Sequence, residues 1–132
     1  IMLKKIVKPL LVITPLVFSV SANSSEVATE LANICDIVKS DDKGELRKKM
    51  RTVQSDFDMQ LRDYYSGITC NGTSLIKLAI LNDAVEAGTL LVKKMPKKLL
   101  AEPEQDGTTL QAWINEQGVA DHPVAKELLE RI

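Results

Sequence analysis

Two stretches of this chain follow one plan, and the repetition limits the fold more than any other feature of the sequence. Asn71-Gly72-Thr73-Ser74-Leu75 aligns with Asp106-Gly107-Thr108-Thr109-Leu110, 35 positions later. Asn-Gly and Asp-Gly are strong turn dipeptides. Each leads into a short run of helix-spaced aliphatic residues, a polar turn (Asn82-Asp83 or Gln117-Gly118) and a second helical run with Leu90-Leu91 or Leu128-Leu129. Aliphatic residues three and four apart share a helix face, and a hairpin of such short helices must stack on a neighbour to bury that face. Leu78, Ala79, Leu90, Leu91, Leu128 and Leu129 are therefore expected in the core. Gly88 inside a helix costs about 1 kcal/mol relative to Ala, which predicts close helix contact at that point. The second unit has three extra residues around Asp121-His122-Pro123, where Pro123 suits a first helical turn.

Upstream the helical period continues. Val27, Ala28, Leu31, Ile34, Cys35 and Val38 share one face and predict a helix over 27–38. Asp42 and Glu45 have capping-box spacing, and Leu46, Met50 and Val53 follow on one face, so a second helix begins near Asp42. Phe57, Leu61 and Tyr64 keep helical spacing between the punctuation of Ser55 and Gly67, which predicts a short helix that returns the chain to Cys70. The expected fold is all-α, with three short helical hairpins in a repeat-like stack or a small bundle, and with repeat-like units near 71–95 and 106–132.

The opening residues read differently. Met2 is followed by Lys4, Lys5 and Lys8, an uncharged stretch from Pro9 to Ser21, and the small residues around Ala22. A basic head, a short apolar run and a small-residue cut site make a secretory signal peptide. A membrane-spanning helix needs roughly 20 apolar residues, more than this run supplies. Residues 1–22 are thus expected to be a leader and 23–132 a single helical domain, exported to the periplasm and without stable membrane insertion after cleavage. Cys35 and Cys70, an even pair in an oxidising compartment, read as a disulfide. The rival reading, a redox pair, lacks Cys-x-x-Cys spacing.

Composition narrows the function classes. Removing Lys4, Lys5 and Lys8 from 17 basic side chains leaves 14 against 18 acidic ones, a net charge of −4. Such a chain has no overall attraction for nucleic acid or anionic lipid, and Phe57, Tyr64, Tyr65 and Trp113 are too few for a base-stacking platform. His122 is the single histidine, so a multi-histidine metal site is excluded. Asp121-His122-Pro123 reads as a helix entrance. Neither Gly72 nor Gly107 has the further glycines and Lys of a phosphate-cradling loop. No cofactor, metal or catalytic residue is expected. Two basic clusters, Arg47-Lys48-Lys49 with Arg51 and Lys93-Lys94 with Lys97-Lys98, are expected to be solvated, or else to meet an acidic partner or the anionic envelope.

The stretch "NGTSLIKLAILNDAVEAGTLLVKK" resembles the ankyrin repeat in its Gly, its "LA" and its paired leucines, although Leu75 and Lys77 stand where that repeat usually has Pro and His. The resemblance implies stacked helical pairs that dock a protein partner on their turn tips and first helices. Here those would be Asn71, Thr73, Lys77, Asp106, Thr108 and Trp113. Trp113 is either an interface anchor or a core residue capping the last unit. A narrower resemblance, over "LRDYYSGITCNGTSLIKLAILNDAVEAG" with the upstream "NIC", is to a family of short exported bacterial proteins of unknown function sharing a Cys-Asn-Gly core. It implies a small periplasmic helical domain with its two cysteines bonded, and no activity. The expectation is a non-catalytic binding module acting on an unknown protein of the cell envelope; the alternative is a structural or stress-linked envelope protein with no single partner.

Overall fold

The computed structural model describes residues 26–132; the expected leader, residues 1–22, lies outside the described residues. The chain divides into two units after Leu31. In the first, residues 26–30 are helical and the Leu31 amide donates to the Val27 carbonyl at 3.0 Å. A turn over residues 31–33 interrupts the single helix expected over 27–38.

The second unit, Ala32–Ile132, is helical: α1 Ile34–Lys39, α2 Lys43–Phe57, α3 Leu61–Tyr64, α4 Leu75–Leu81, α5 Val85–Lys94, α6 Lys97–Ala101, α7 Leu110–Gln117 and α8 Pro123–Arg131, with a 3₁₀ turn over Tyr65–Gly67. Among the described residues there is no β-strand, only two isolated bridges, Cys70 with Thr73 and Pro103 with Thr109. No described helix is long and apolar enough to cross a membrane.

Local chemistry explains most boundaries. The Asp42 carboxylate accepts the Glu45 amide at 3.0 Å and so caps α2, satisfying an amide that has no partner within the helix. The helix then runs through Ser55, which does not act as punctuation, and stops where Asp58 turns left-handed at φ 56°. Asn71 and Gly72 both have positive φ, 57° and 82°, the type I′ geometry that Asn-Gly favours in a two-residue turn. The Cys70 amide donates to the Thr73 carbonyl at 2.7 Å, and the reverse bond closes the turn at 3.2 Å. The matching turn downstream is closed by the Gly107 amide on the Glu104 carbonyl at 2.9 Å. Thr109 caps α7, accepting the Ala112 amide at 3.1 Å, and His122 caps α8 through Nδ1, which accepts the Val124 amide at 3.2 Å.

Helix contacts order the hairpins. Within pairs, α1 packs on α2 and α4 on α5; between pairs, α1 meets α4, α2 meets α5, and α8 meets both α5 and α4, while α6 lies on α7. Helix α5 is the hub, touching α2, α3, α4 and α8. Its Gly88 is the reason three helices approach so closely: a Cβ built there would lie 2.5 Å from Val124 Cγ2 and 2.9 Å from Ala79 Cβ. Leu78, Ala79, Leu90, Leu91 and Leu128 are buried as expected. Leu129 is only half-buried, because α8 turns Val124, Ala125 and Leu128 inward and the next residue lies about 100° further round the helix. The Cys35–Cys70 disulfide joins α1 to the turn before α4, with a Cα–Cα distance of 5.9 Å.

Two bonds repeat from hairpin to hairpin. Asp41, in the α1–α2 turn at φ 57°, accepts the Ala87 amide at the start of α5 at 2.8 Å. Asp83, in the α4–α5 turn at φ 55°, pairs with His122 Nε2 at the start of α8 at 2.9 Å. Each turn thus places a left-handed aspartate against the second helix of the next hairpin.

Candidate functional site

A cleft of about 480 Å³ opens beside the two matching turns. Its polar floor is built around Glu104, which follows Pro103 in the segment linking α6 to α7. The Tyr65 hydroxyl donates to Glu104 Oε2 at 2.7 Å, the Ser74 hydroxyl donates to Oε1 at 3.0 Å, and the Lys77 ammonium lies 3.4 Å from Oε1. Lys77 also donates to Asp106 Oδ2 at 3.0 Å and sits 5.5 Å from the centre of the Trp113 ring, within cation–π range. Lys77 and Glu104 expose only 8% and 10% of their side chains, so each offsets part of the other's cost of a buried charge.

The titration behaviour follows the geometry. Burial pushes the Tyr65 hydroxyl well above its ordinary value, and the Glu104 carboxylate adds to the effect. The Thr108 amide, and after it the Lys77 ammonium, holds Asp106 below the usual carboxylate range. The hydroxyl therefore stays protonated as a fixed donor and the exposed Asp106 stays ionised.

The apolar wall comes from Ile68, Met95, Leu99, Leu100 and Leu110. Leu100 and Leu110 are buried, whereas Leu99 is 36% exposed. Arg62 and Glu102 also line the cleft.

Of the six residues expected to meet a partner, the structure brings four together: Lys77 bonds to Asp106 and lies over Trp113, and Thr108 bonds to Asp106. Lys77 is buried among the aliphatic residues of α4 and its ammonium is committed inside the protein, so it is no surface contact. Trp113 is half-buried, covering Lys77 instead of filling the core. Asn71 is exposed at the tip of its turn, and Thr73 is half-buried. Thr108 is half-buried and donates its amide to Asp106 Oδ1 at 3.0 Å. Sequence reasoning missed Glu104, Tyr65 and Ser74, the centre of the network. One signal pointed to them: a lysine inside the aliphatic run Leu75–Leu81 must find a carboxylate from elsewhere in the chain. Among the described residues no group of three or more His, Cys, Asp or Glu side chains is placed to hold a metal ion.

No curated protein and no solved structure matches the chain. The family described as "Protein of unknown function (DUF3718)" matches residues 34–102, which span α1 to α6, both cysteines, Tyr65, Ser74 and Lys77. The match takes in more than half of the 132 residues, and the chain belongs to that family.

Proposed function

We propose that the chain is an exported, non-catalytic binding module that receives a short segment of an envelope protein in this cleft. The observation that carries the reading is the division of the cleft into a floor whose polar groups already bond to one another and an apolar wall that Leu99 and Ile68 leave partly open. Ligand pockets of this size bind mainly through apolar surface, with a few polar groups fixing orientation. Here Leu99 and Ile68 supply that surface, and Arg62, Glu102 and Asp106 supply charge for orientation. A catalytic acid or base must reach a proton of its substrate. Glu104 instead faces three partners of its own chain, and Lys77 is enclosed by two carboxylates and an indole.

An ankyrin-like scaffold is part of this proposal. It is supported by the succession α1 on α4, α2 on α5 and α5 on α8, and by the aspartates that link one hairpin to the next. Export is supported by the basic, apolar and small-residue order of residues 2–22 and by the disulfide, a bond that persists in oxidising compartments.

Site-specific photo-cross-linking in cells tests the reading. Leu81 and Leu99 are the two large aliphatic residues exposed among those described, and they serve as control and probe. A photoreactive residue at position 99 should give one stoichiometric protein adduct and the same residue at position 81 none. Adducts at neither position would favour the structural or stress-linked alternative. Turnover of an envelope substrate that is lost with Glu104→Gln would overturn the non-catalytic assignment. Intact mass of the exported protein should show a start near Asn23, and retention of residues 2–22 would refute export with cleavage.

A further inference from the structure

A second cleft, of about 290 Å³, is lined by Arg47, Met50, Arg51, Gln54, Gln60, Leu61 and Lys94. We infer that it is a binding site for a phosphate group carried on a small molecule or a lipid headgroup. This site is separate from the apolar-walled cleft and does not depend on the function proposed for it.

The fold creates the site by setting Lys94 of the second basic cluster beside Arg47 and Arg51 of the first. Arg47, Arg51 and Gln54 recur at helical spacing along α2, and α2 packs on α5, which brings in Lys94 from the last turn of α5. Gln60, the N-cap of α3, completes the polar lining. Met50 and Leu61, both buried, form an apolar floor, which weakens the screening of charges above it. Three cations and two amides therefore face one concavity, and among the described residues lining it there is no carboxylate.

Arg47, Arg51 and Lys94 are all exposed, so the cleft is open to a ligand from solvent. Lys93 and Lys94 end α5, where cations favour the helix dipole. Arg47 and Arg51 have no such reason, since they lie in the second turn and middle of α2. At four-residue spacing they repel one another. Among the described residues neither has an ion-pair partner. Two guanidinium forks recognise tetrahedral or planar oxyanions bidentately. Three positive charges fit a phosphate, which carries up to two negative charges, better than a lone carboxylate. The cleft is also larger than a bare phosphate requires, leaving room for the group that bears it.

The test uses the folded, disulfide-bonded protein and three probes: inorganic phosphate, glycerol 3-phosphate, and vesicles of phosphatidylglycerol in phosphatidylcholine. Binding is followed by amide chemical-shift titration for the soluble probes and by co-sedimentation for the vesicles. Saturable shifts confined to α2, Gln60 and Lys94 are expected with glycerol 3-phosphate, and R47Q/R51Q should weaken them at least tenfold. The control K97Q/K98Q removes two exposed lysines that do not line the cleft and should leave affinity within twofold. Vesicle binding that R47Q/R51Q abolishes, with no response to the soluble probes, would assign the phosphate to a lipid source. The proposal is overturned if no probe binds, if shifts are non-saturable and spread over the surface, or if the control weakens binding as much as R47Q/R51Q.

Discussion

Tyr64 and Tyr65 are adjacent, both buried, and opposite in their energetics. The Tyr65 hydroxyl is bonded to a carboxylate at 2.7 Å, whereas the Tyr64 hydroxyl is buried without a hydrogen-bond partner among the described residues. An unmade bond of that kind costs about 1–3 kcal/mol, while a bond to a charged group contributes about 1.5–3 kcal/mol. Tyr65→Phe should therefore lower stability by about 2 kcal/mol, and Tyr64→Phe should leave it unchanged or raise it by about 1 kcal/mol. Urea titration of both variants checks the contrast, and equal losses would refute it. Tyr64 also predicts a pH dependence. Burial, with a smaller effect from Asp63, pushes its hydroxyl up to about 12 from an ordinary value of 10.0. The folded state then holds its proton more tightly than the unfolded chain, so the stability involved is complete below pH 10 and is lost as pH rises towards 12. Tyr64→Phe should flatten that part of the alkaline stability profile. The sequence placed Tyr64 on the inner face through its spacing from Phe57 and Leu61. It carried no sign of which of the two hydroxyls would find an acceptor, because Glu104 comes from 39 residues beyond Tyr65.

Among the elements, α5 bears the densest packing, and Gly88 is where that packing is tightest. Alanine at this position gains about 1 kcal/mol of helix propensity. It also drives a methyl into Val124, a β-branched side chain with little rotamer freedom. Overpacking of this kind costs about 1–3 kcal/mol, so after the propensity gain Gly88→Ala should be destabilising by up to about 2 kcal/mol. Adding Val124→Ala should restore part of the loss, and a double-mutant cycle without coupling would sink the account. The start of α5 depends on a distant residue. Ala84 stands at its N-cap with no side chain to offer, and Asp41 supplies the acceptor from the first hairpin. Asp41→Ala should cost about 1 kcal/mol, as caps within a helix do, with faster amide exchange at Ala87 as its local signature. Helix positions were legible wherever local rules governed them: Asp42 as a cap, Asn71-Gly72 as a turn, Pro123 as a first-turn residue, Gly88 as a contact. Two boundaries were not. The 31–33 turn interrupts an unbroken apolar stripe, and α2 continues past Ser55 to the left-handed Asp58.

At the scale of the molecule, the disulfide and the hairpin stack restrain the same region. The bond spans 35 residues, for which loop closure accounts for roughly 3–4 kcal/mol of stability. Replacing both cysteines by Ala should lower the unfolding free energy by about that amount, and a urea midpoint unmoved by the replacement would show the bond to be energetically idle. The two clefts differ chemically, one with an apolar wall over internally paired charges and the other with three cations over an apolar floor. The covalent loop has a further consequence for how the protein responds to damage. Asp58, Met59 and Gln60 connect α2 to α3, and Asp58 and Gln60 are exposed. A protease cutting at these residues breaks the chain between Cys35 and Cys70, so both fragments stay tied through sulfur. The nicked protein stays one covalent molecule under oxidising conditions, heavier only by the water added on cleavage, and separates into two pieces only when a reductant reaches it. The bond then serves as a second backbone, allowing the peptide chain to be cut once without the loss of either half.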